Sequence, residues 1–118
     1  MGYSNKENAT YWAARSLAED YSSVDDWIDV REVSVGSFYL VWASAAATDA
    51  VVKLQETHDK ADATGIDVSG KTVTIGAATG LAVIPLTSIT SPYVRLAIVD
   101  NAESAGTVNV RYFFKGDR

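Results

Sequence analysis

The chain has one histidine, His58, and no cysteine. General base catalysis needs a base that a partner orients and a nucleophile within hydrogen-bond reach. Asp59 adjoins His58, but adjacency along a chain does not make a catalytic pair, and the polar residues 58–70 predict a solvated histidine. Without cysteine there is neither a disulfide framework nor a thiolate metal site. The sequence therefore predicts that this protein is not an enzyme and has no catalytic residues.

The carboxylates could in principle bind a hard cation such as calcium, which needs several oxygen ligands that converge on one point. Two clusters stand out, Asp25, Asp26 and Asp29, and then Asp59, Asp62 and Asp67. The spacing in residues 58–70 lacks the alternating acidic pattern of an EF-hand loop. Solvated acidic loops, which keep a β-protein soluble, are the favoured interpretation. We therefore expect no cofactor and no metal ligand, with a cation in residues 58–70 as the open alternative.

Length and charge restrict the class of protein further. The 118 residues fit one domain, and the formal net charge is −5 at pH 7. Lys and Arg are scattered rather than clustered, so we expect no nucleic-acid partner. No apolar run approaches the ~18 residues of a membrane span, and the N-terminal residues do not resemble a secretory signal. We expect a protein with no membrane partner that is made in the cytoplasm of its host.

Strictly alternating residues near the end of the chain predict β-strands. Residues Thr107–Lys115 read T-V-N-V-R-Y-F-F-K, with Val110 and Phe114 among those on one face. Residues Tyr93–Val99 alternate in the same way, and the short Gly-containing stretch between the two runs predicts a hairpin. Seven or eight short strands follow one another at near-regular spacing. They predict an all-β, antiparallel β-sandwich of jelly-roll type over residues 22–118.

The central segment, residues 38–42, is apolar on both faces. Phe38 and Leu40 fall on one face, and Tyr39 and Val41 fall on the other. A strand that is apolar on both faces is usually covered on both. In a domain of this size another copy of the chain can supply the second cover, so we expect a homo-oligomer.

Residues 1–21 are expected to form an N-terminal arm. Residues 1–10 are polar and aperiodic, and residues 11–20 are expected to be extended or to form one or two helical turns. The aromatic residues of this region have three interpretations: contact with another protein, cover for an open side of the sheet, and, less favoured, a platform for sugars. The predicted interface residues are Tyr3, Tyr11, Trp12, Tyr39 and Phe113.

The order of several segments resembles that of a group of phage proteins. The segments are W-I-D-V-R at residues 27–31, the apolar strand at 38–42, V-V-K-L-Q-E at 51–56, V-T-I-G at 73–76, Y-V-R-L at 93–96 and G-T-V-N-V at 106–110. This order is similar to that of small β-sandwich accessory virion proteins of tailed bacteriophages. The resemblance implies a capsid decoration (cement) protein that binds the major capsid protein on the outside of the capsid and stabilises the shell. By analogy it favours a homotrimer, and it implies no catalytic residue.

Two alternatives stay open from the sequence. A carbohydrate-binding module is also a β-sandwich, and an exposed row of aromatics that includes Tyr39 and Phe113 would favour it. Another virion part, such as a tail or head-fibre component, would share the same composition.

Overall fold

The structure is a computed structural model, and it describes residues 6–87 and 89–116. Within these residues the chain forms eight β-strands and two short 3₁₀ turns, with no α-helix. The strands make two four-stranded antiparallel sheets that pack face to face, which confirms the predicted all-β antiparallel sandwich. The strands are β1 (Lys6–Ser16), β2 (Ile28–Asp29), β3 (Val35–Ala43), β4 (Val51–Thr57), β5 (Ile66–Thr74), β6 (Gly80–Pro85), β7 (Tyr93–Val99) and β8 (Thr107–Lys115), and the 3₁₀ turns are Val24–Asp26 and Asp62–Thr64.

The first sheet has the strand order β1-β8-β3-β6, and the second has the order β2-β7-β4-β5. Only β4 and β5 are consecutive strands of one sheet, and every other connection crosses between the sheets. The predicted hairpin of Tyr93–Val99 with Thr107–Lys115 is therefore wrong, because β7 lies in the second sheet and β8 in the first. Alternation indicates which face of a strand is buried, but it does not identify the neighbouring strand.

The core lies between the two sheets and is formed by the inward side chains of alternating residues. Phe38, Leu40 and Trp42 of β3 are buried there and share one face of the strand, as their alternation predicts. The ring of Phe38 packs edge to face on Phe114 of β8, with 5.6 Å between the ring centroids. Each fully buried side chain of this size contributes about 1.5–3 kcal/mol. Other buried core residues are Val52, Leu54, Val94, Leu96, Ile98, Val108 and Val110.

The first sheet begins with a strand where the sequence predicts an arm. Strand β1 pairs antiparallel with β8 along its length, from Lys6 opposite Lys115 to Ser16 opposite Thr107. Residues Lys6–Ser16 are therefore an edge strand of the sandwich rather than part of an arm or a helix. Two register shifts lie within this strand, and such β-bulges break the period-two pattern from which a strand is recognised in a sequence.

Candidate partner-binding surface

Exposed apolar side chains concentrate on the outward face of the first sheet. This face carries six of the eight large hydrophobic side chains that are exposed among the described residues. Leu81 is 64% exposed, Val83 52% and Tyr39 42%. Contiguous exposed apolar surface is characteristic of interaction sites. We define the outer patch as five of these hydrophobic residues together with the neighbouring Arg111: Tyr39, Val41, Leu81, Val83, Phe113 and Arg111.

The register of the strands brings these residues together. Val41 of β3 lies opposite Leu81 of β6, and Tyr39 lies opposite Val83. Directly opposite residues on one face have Cβ atoms about 4.5–5.5 Å apart, so these four side chains form a continuous strip. Strand β6 is the edge strand of the sheet and ends at Pro85, a residue that sheets tolerate at an edge.

Arg111 lies beside the aromatic residues of the outer patch. It is directly opposite Tyr39 across the β3–β8 ladder, and Phe113 is the next outward residue of β8. Its guanidinium group extends over β1, where Nη1 donates to Thr10 Oγ1 at 3.1 Å and Nη2 donates to Asn8 Oδ1 at 3.2 Å. These acceptors are neutral, so they fix the orientation of the cation without compensating its charge.

Two residues predicted at an interface lie in the core instead. Trp12 is 2% exposed, and its Nε1 donates to Asp26 Oδ2 at 3.0 Å. The hydroxyl of Tyr11 donates to the Asp26 carbonyl at 2.8 Å and accepts from the amide of Leu96 at 3.1 Å. Burial raises the pKa of Tyr11 well above its usual range. The bulge between Thr10 and Trp12 explains why both neighbouring rings pack inward.

The remaining predicted interface residues have different outcomes. Tyr39 and Phe113 are exposed and share the outward face of the first sheet. Tyr3 lies outside the described residues. Leu81, Val83 and Arg111 are not evident as interface residues from the sequence, because their proximity to Tyr39 depends on which strands are neighbours. The signal that was available is the alternation of β6, which places Leu81 and Val83 on one face.

Residues 58–70, which the sequence predicts as an acidic loop, are a loop with local contacts up to Gly65, whereas β5 begins at Ile66 and includes Asp67. His58 is exposed. Asp59 accepts hydrogen bonds from the hydroxyl groups of Thr64 and Thr57 and from the amide of Ala61, and these bonds, that of Thr64 above all, lower the pKa of its carboxyl. In the part of the chain that the structure describes, no three His, Cys, Asp or Glu side chains converge as metal ligands do.

A shallow groove of about 460 Å³ lies at one end of the sandwich. Its apolar part consists of half-buried side chains from two loops, β2–β3 and β6–β7, and polar residues form its rim. The apolar residues are Val30, Val33, Leu86, Ile89 and Pro92. At the rim the carboxylate of Glu56 accepts hydrogen bonds from the amides of Thr90 and Ser91, at 2.8 and 3.0 Å. These bonds fix the wall of the groove, and we assign it no ligand.

Among the described residues no helix is long and apolar enough to span a membrane. Comparison of the chain with protein-family models, with curated proteins and with solved structures gave no match.

Proposed function

We propose that this protein is a structural accessory protein of a tailed bacteriophage, of the capsid decoration (cement) type. In this proposal it attaches to the outside of the capsid through the outer patch and reinforces the contacts between subunits of the major capsid protein. The observation that carries the proposal is the exposed strip of Tyr39, Val41, Leu81 and Val83 on the face of a rigid sheet. A binding protein needs such a surface, whereas an enzyme needs a concave site with convergent polar groups.

We propose further that the sandwich is a jelly roll. The supporting observation is the strand order, β1-β8-β3-β6 in one sheet and β2-β7-β4-β5 in the other. Eight antiparallel strands in two sheets, with nearly all connections crossing between the sheets, fit a double Greek key. Viral capsid domains and lectins commonly use this architecture, so it is compatible with the proposed function and with the sugar-binding alternative.

We propose that the protein is a homo-oligomer, with a trimer favoured by analogy with jelly-roll decoration proteins. The exposed outward residues Tyr39 and Val41 lie on a strand whose inward residues are in the core, so β3 has a second apolar face that another copy can cover in the free protein. Because the same face is proposed to attach to the capsid, this contact and attachment compete for one surface. Sedimentation over a range of concentrations tests this. A sedimentation coefficient of a monomer at every concentration would contradict self-association and leave attachment to a particle possible.

The second candidate function is carbohydrate binding. It is favoured by the position of Tyr39 and Phe113, two exposed aromatic rings on neighbouring strands of the same sheet face. Aromatic faces of this kind stack on sugar rings. Attachment to a tail or to head fibres is the further alternative within the virion.

The decisive experiment is to mix the purified protein with phage particles that lack it and to measure the occupancy of the particles. The test variant is Leu81→Thr/Val83→Thr, which removes apolar surface and leaves residues of high β-propensity at both positions of the strand. The matched control is Ile66→Thr, because Ile66 is 60% exposed but lies on β5 of the other sheet. We expect the wild type and the control to fill the particles and the double variant to bind weakly.

Three other outcomes are informative. Equal occupancy by the double variant and the control would reject the outer patch as the attachment surface. Failure of every form to bind capsids, with binding to isolated tails, would favour a tail component. Failure to bind any particle, together with binding to a polysaccharide that Tyr39→Thr abolishes, would favour the carbohydrate-binding alternative.

A further inference from the structure

We infer that the partner surface that docks on the outer patch is a protein surface that is apolar at its centre and carries carboxylates opposite Arg111 and Lys115. This inference rests on the proposed attachment function and specifies the chemistry of the partner. Its basis is an unequal distribution of charge over the molecule.

The chain as a whole is acidic, with a net charge of −5, but the outward face of the first sheet is not. The outward residues of β3 and β6 lie within residues 33–48 and 72–94, which contain no charged side chain. The outward residues of β8 add two exposed cations, Arg111 and Lys115. Among the described side chains of this face none is a carboxylate. An acidic protein therefore has one face that is neutral at its centre and positive along one side.

The contacts of Arg111 differ from those of the cations on the other side of the molecule. Arg31 pairs with Asp29, with 2.9 Å between Nε and Oδ1, and Lys53 pairs with Asp67 at 3.1 Å. Within the described part of the chain, Arg111 instead donates only to the neutral groups of Asn8 and Thr10. Its guanidinium group is held in place and keeps its full charge for a carboxylate that arrives from outside.

The geometry of the outer patch fits a protein better than a nucleic acid or a second copy of the same face. Two cations are too few for a phosphate backbone, and the rest of the surface is acidic. Two identical faces in contact would bring like charges together, which opposes a symmetric face-to-face dimer. An apolar strip next to an oriented arginine is instead the composition of a protein interface core with its charged rim.

The test uses particles that lack this chain as the probe and measures the apparent affinity of the protein at about 0.05 and about 0.5 M NaCl. The variant Arg111→Glu should lower the affinity at least about tenfold, since it brings like charges together at the interface. A second variant, Lys115→Glu, should act in the same direction and does not depend on the contacts with β1. The control is Arg31→Glu, which changes the net charge equally but lies beside the second sheet.

We expect added salt to weaken the binding of the wild type and of Arg31→Glu. We expect Arg111→Glu and Lys115→Glu to bind much more weakly than the wild type. Equal losses in Arg111→Glu and Arg31→Glu would overturn the inference, because only net charge would then matter. Loss of binding in Leu81→Thr/Val83→Thr without any effect of Arg111→Glu and Lys115→Glu would overturn it too, but would leave the proposed attachment intact. Dissociation of a free oligomer by Arg111→Glu without any loss of attachment to particles would show that the patch is covered by a copy of this chain and not by the capsid, which would also overturn it.

Discussion

The indole of Trp12 donates a hydrogen bond of 3.0 Å to the carboxylate of Asp26. This contact joins the bulged edge strand β1 to the 3₁₀ turn Val24–Asp26, which precedes β2 of the other sheet. The same ring lies 5.7 Å from the ring of Tyr21, edge to face. Strand β1 is therefore fastened to the core by its side chains as well as by its ladder with β8.

Replacing Trp12 by Ala should destabilise the protein by about 3–5 kcal/mol, the usual cost of removing a large aromatic side chain from a core. Urea unfolding followed by circular dichroism would measure it. The matched control is Tyr39→Ala, because Tyr39 is exposed on the outward face and its loss should cost far less. Equal destabilisation by the two substitutions would contradict the core position of Trp12.

Removing residues 1–20 should prevent stable folding. The truncation removes β1, leaves β8 as an edge strand, and deprives the core of Trp12 and Leu17, which is fully buried. A loss of this size exceeds the net stability of a typical domain of this length. Circular dichroism and proton NMR dispersion would test it. A truncated chain with a cooperative thermal transition close to that of the wild type would instead favour the N-terminal arm that the sequence predicts.

The sequence predicts the strands better than their partners. Alternation in β8 identifies the correct inward face, because burial on one side of a pleated strand requires period two. In β3 and β7 both faces carry apolar residues, so alternation divides the residues between two faces without identifying the inward one. It cannot identify β1, where bulges turn Tyr11 and Trp12 to the same side. It also pairs β7 with β8, because proximity along the chain is a poor guide in a fold whose strands alternate between two sheets.

The candidate site is only partly visible in the sequence for the same reason. Alternation alone places Phe113 on the solvated face of its strand and Tyr39 on the face opposite Phe38. That Leu81 and Val83 lie beside Tyr39 depends on the pairing of β3 with β6, strands that are far apart in the chain. The orientation of Arg111 depends on Asn8 and Thr10, which belong to the strand that the sequence does not predict.

The carboxylate of Glu103 should make the stability depend on acid pH. Its oxygens accept hydrogen bonds from the amides of Ala47, Ala46 and Thr48, at 2.7 to 2.8 Å, and these bonds lower its pKa to about 2 from an ordinary 4.5. A lowered pKa in the folded state stabilises the protein above the unfolded pKa of 4.5, and this stabilisation is lost as the pH falls toward 2.

Glu103→Gln should therefore be less stable than the wild type at pH 7, and the difference should shrink as the pH falls from 4.5 toward 2. Urea midpoints at a series of pH values would measure this difference. The control Glu19→Gln changes an exposed carboxylate and should leave the midpoint at pH 7 nearly unchanged. A constant difference between Glu103→Gln and the wild type at every pH would show that the amide bonds do not favour the ionised form.

Gly80→Ala should destabilise the protein because Trp42 packs against the backbone at this position. A Cβ atom added to Gly80 would overlap Cζ2 of Trp42, so the indole would have to move. Overpacking of this kind usually costs about 1–3 kcal/mol. The control is Gly76→Ala, where an added Cβ meets no atom within 4 Å. Thermal unfolding should separate the two variants, and a Gly80→Ala protein as stable as Gly76→Ala would contradict the packing of Trp42.

Substitution by Thr should affect mainly attachment on the outward face of β6 and mainly stability on its inward face. Val83 is 52% exposed in the outer patch, whereas its neighbour Ile84 is 1% exposed in the core. Val83→Thr keeps a β-branched side chain and changes only solvated surface, so its effect on the free energy of unfolding should stay within about 0.5 kcal/mol. Ile84→Thr replaces a buried ethyl group by a hydroxyl, and it should cost several times more.

Urea unfolding of both variants measures the difference in the free energy of unfolding. Particle occupancy, measured on the folded protein, measures the effect on attachment separately. We expect Val83→Thr to be stable and weakened in attachment, and Ile84→Thr to be unstable but to attach normally where it is folded, because the outer patch of the folded protein is unchanged. Similar destabilisation by the two substitutions would contradict the alternation of β6. Normal attachment by a stable Val83→Thr protein would indicate that Val83 contributes little at the interface, and the rest of the strip would then carry the contact.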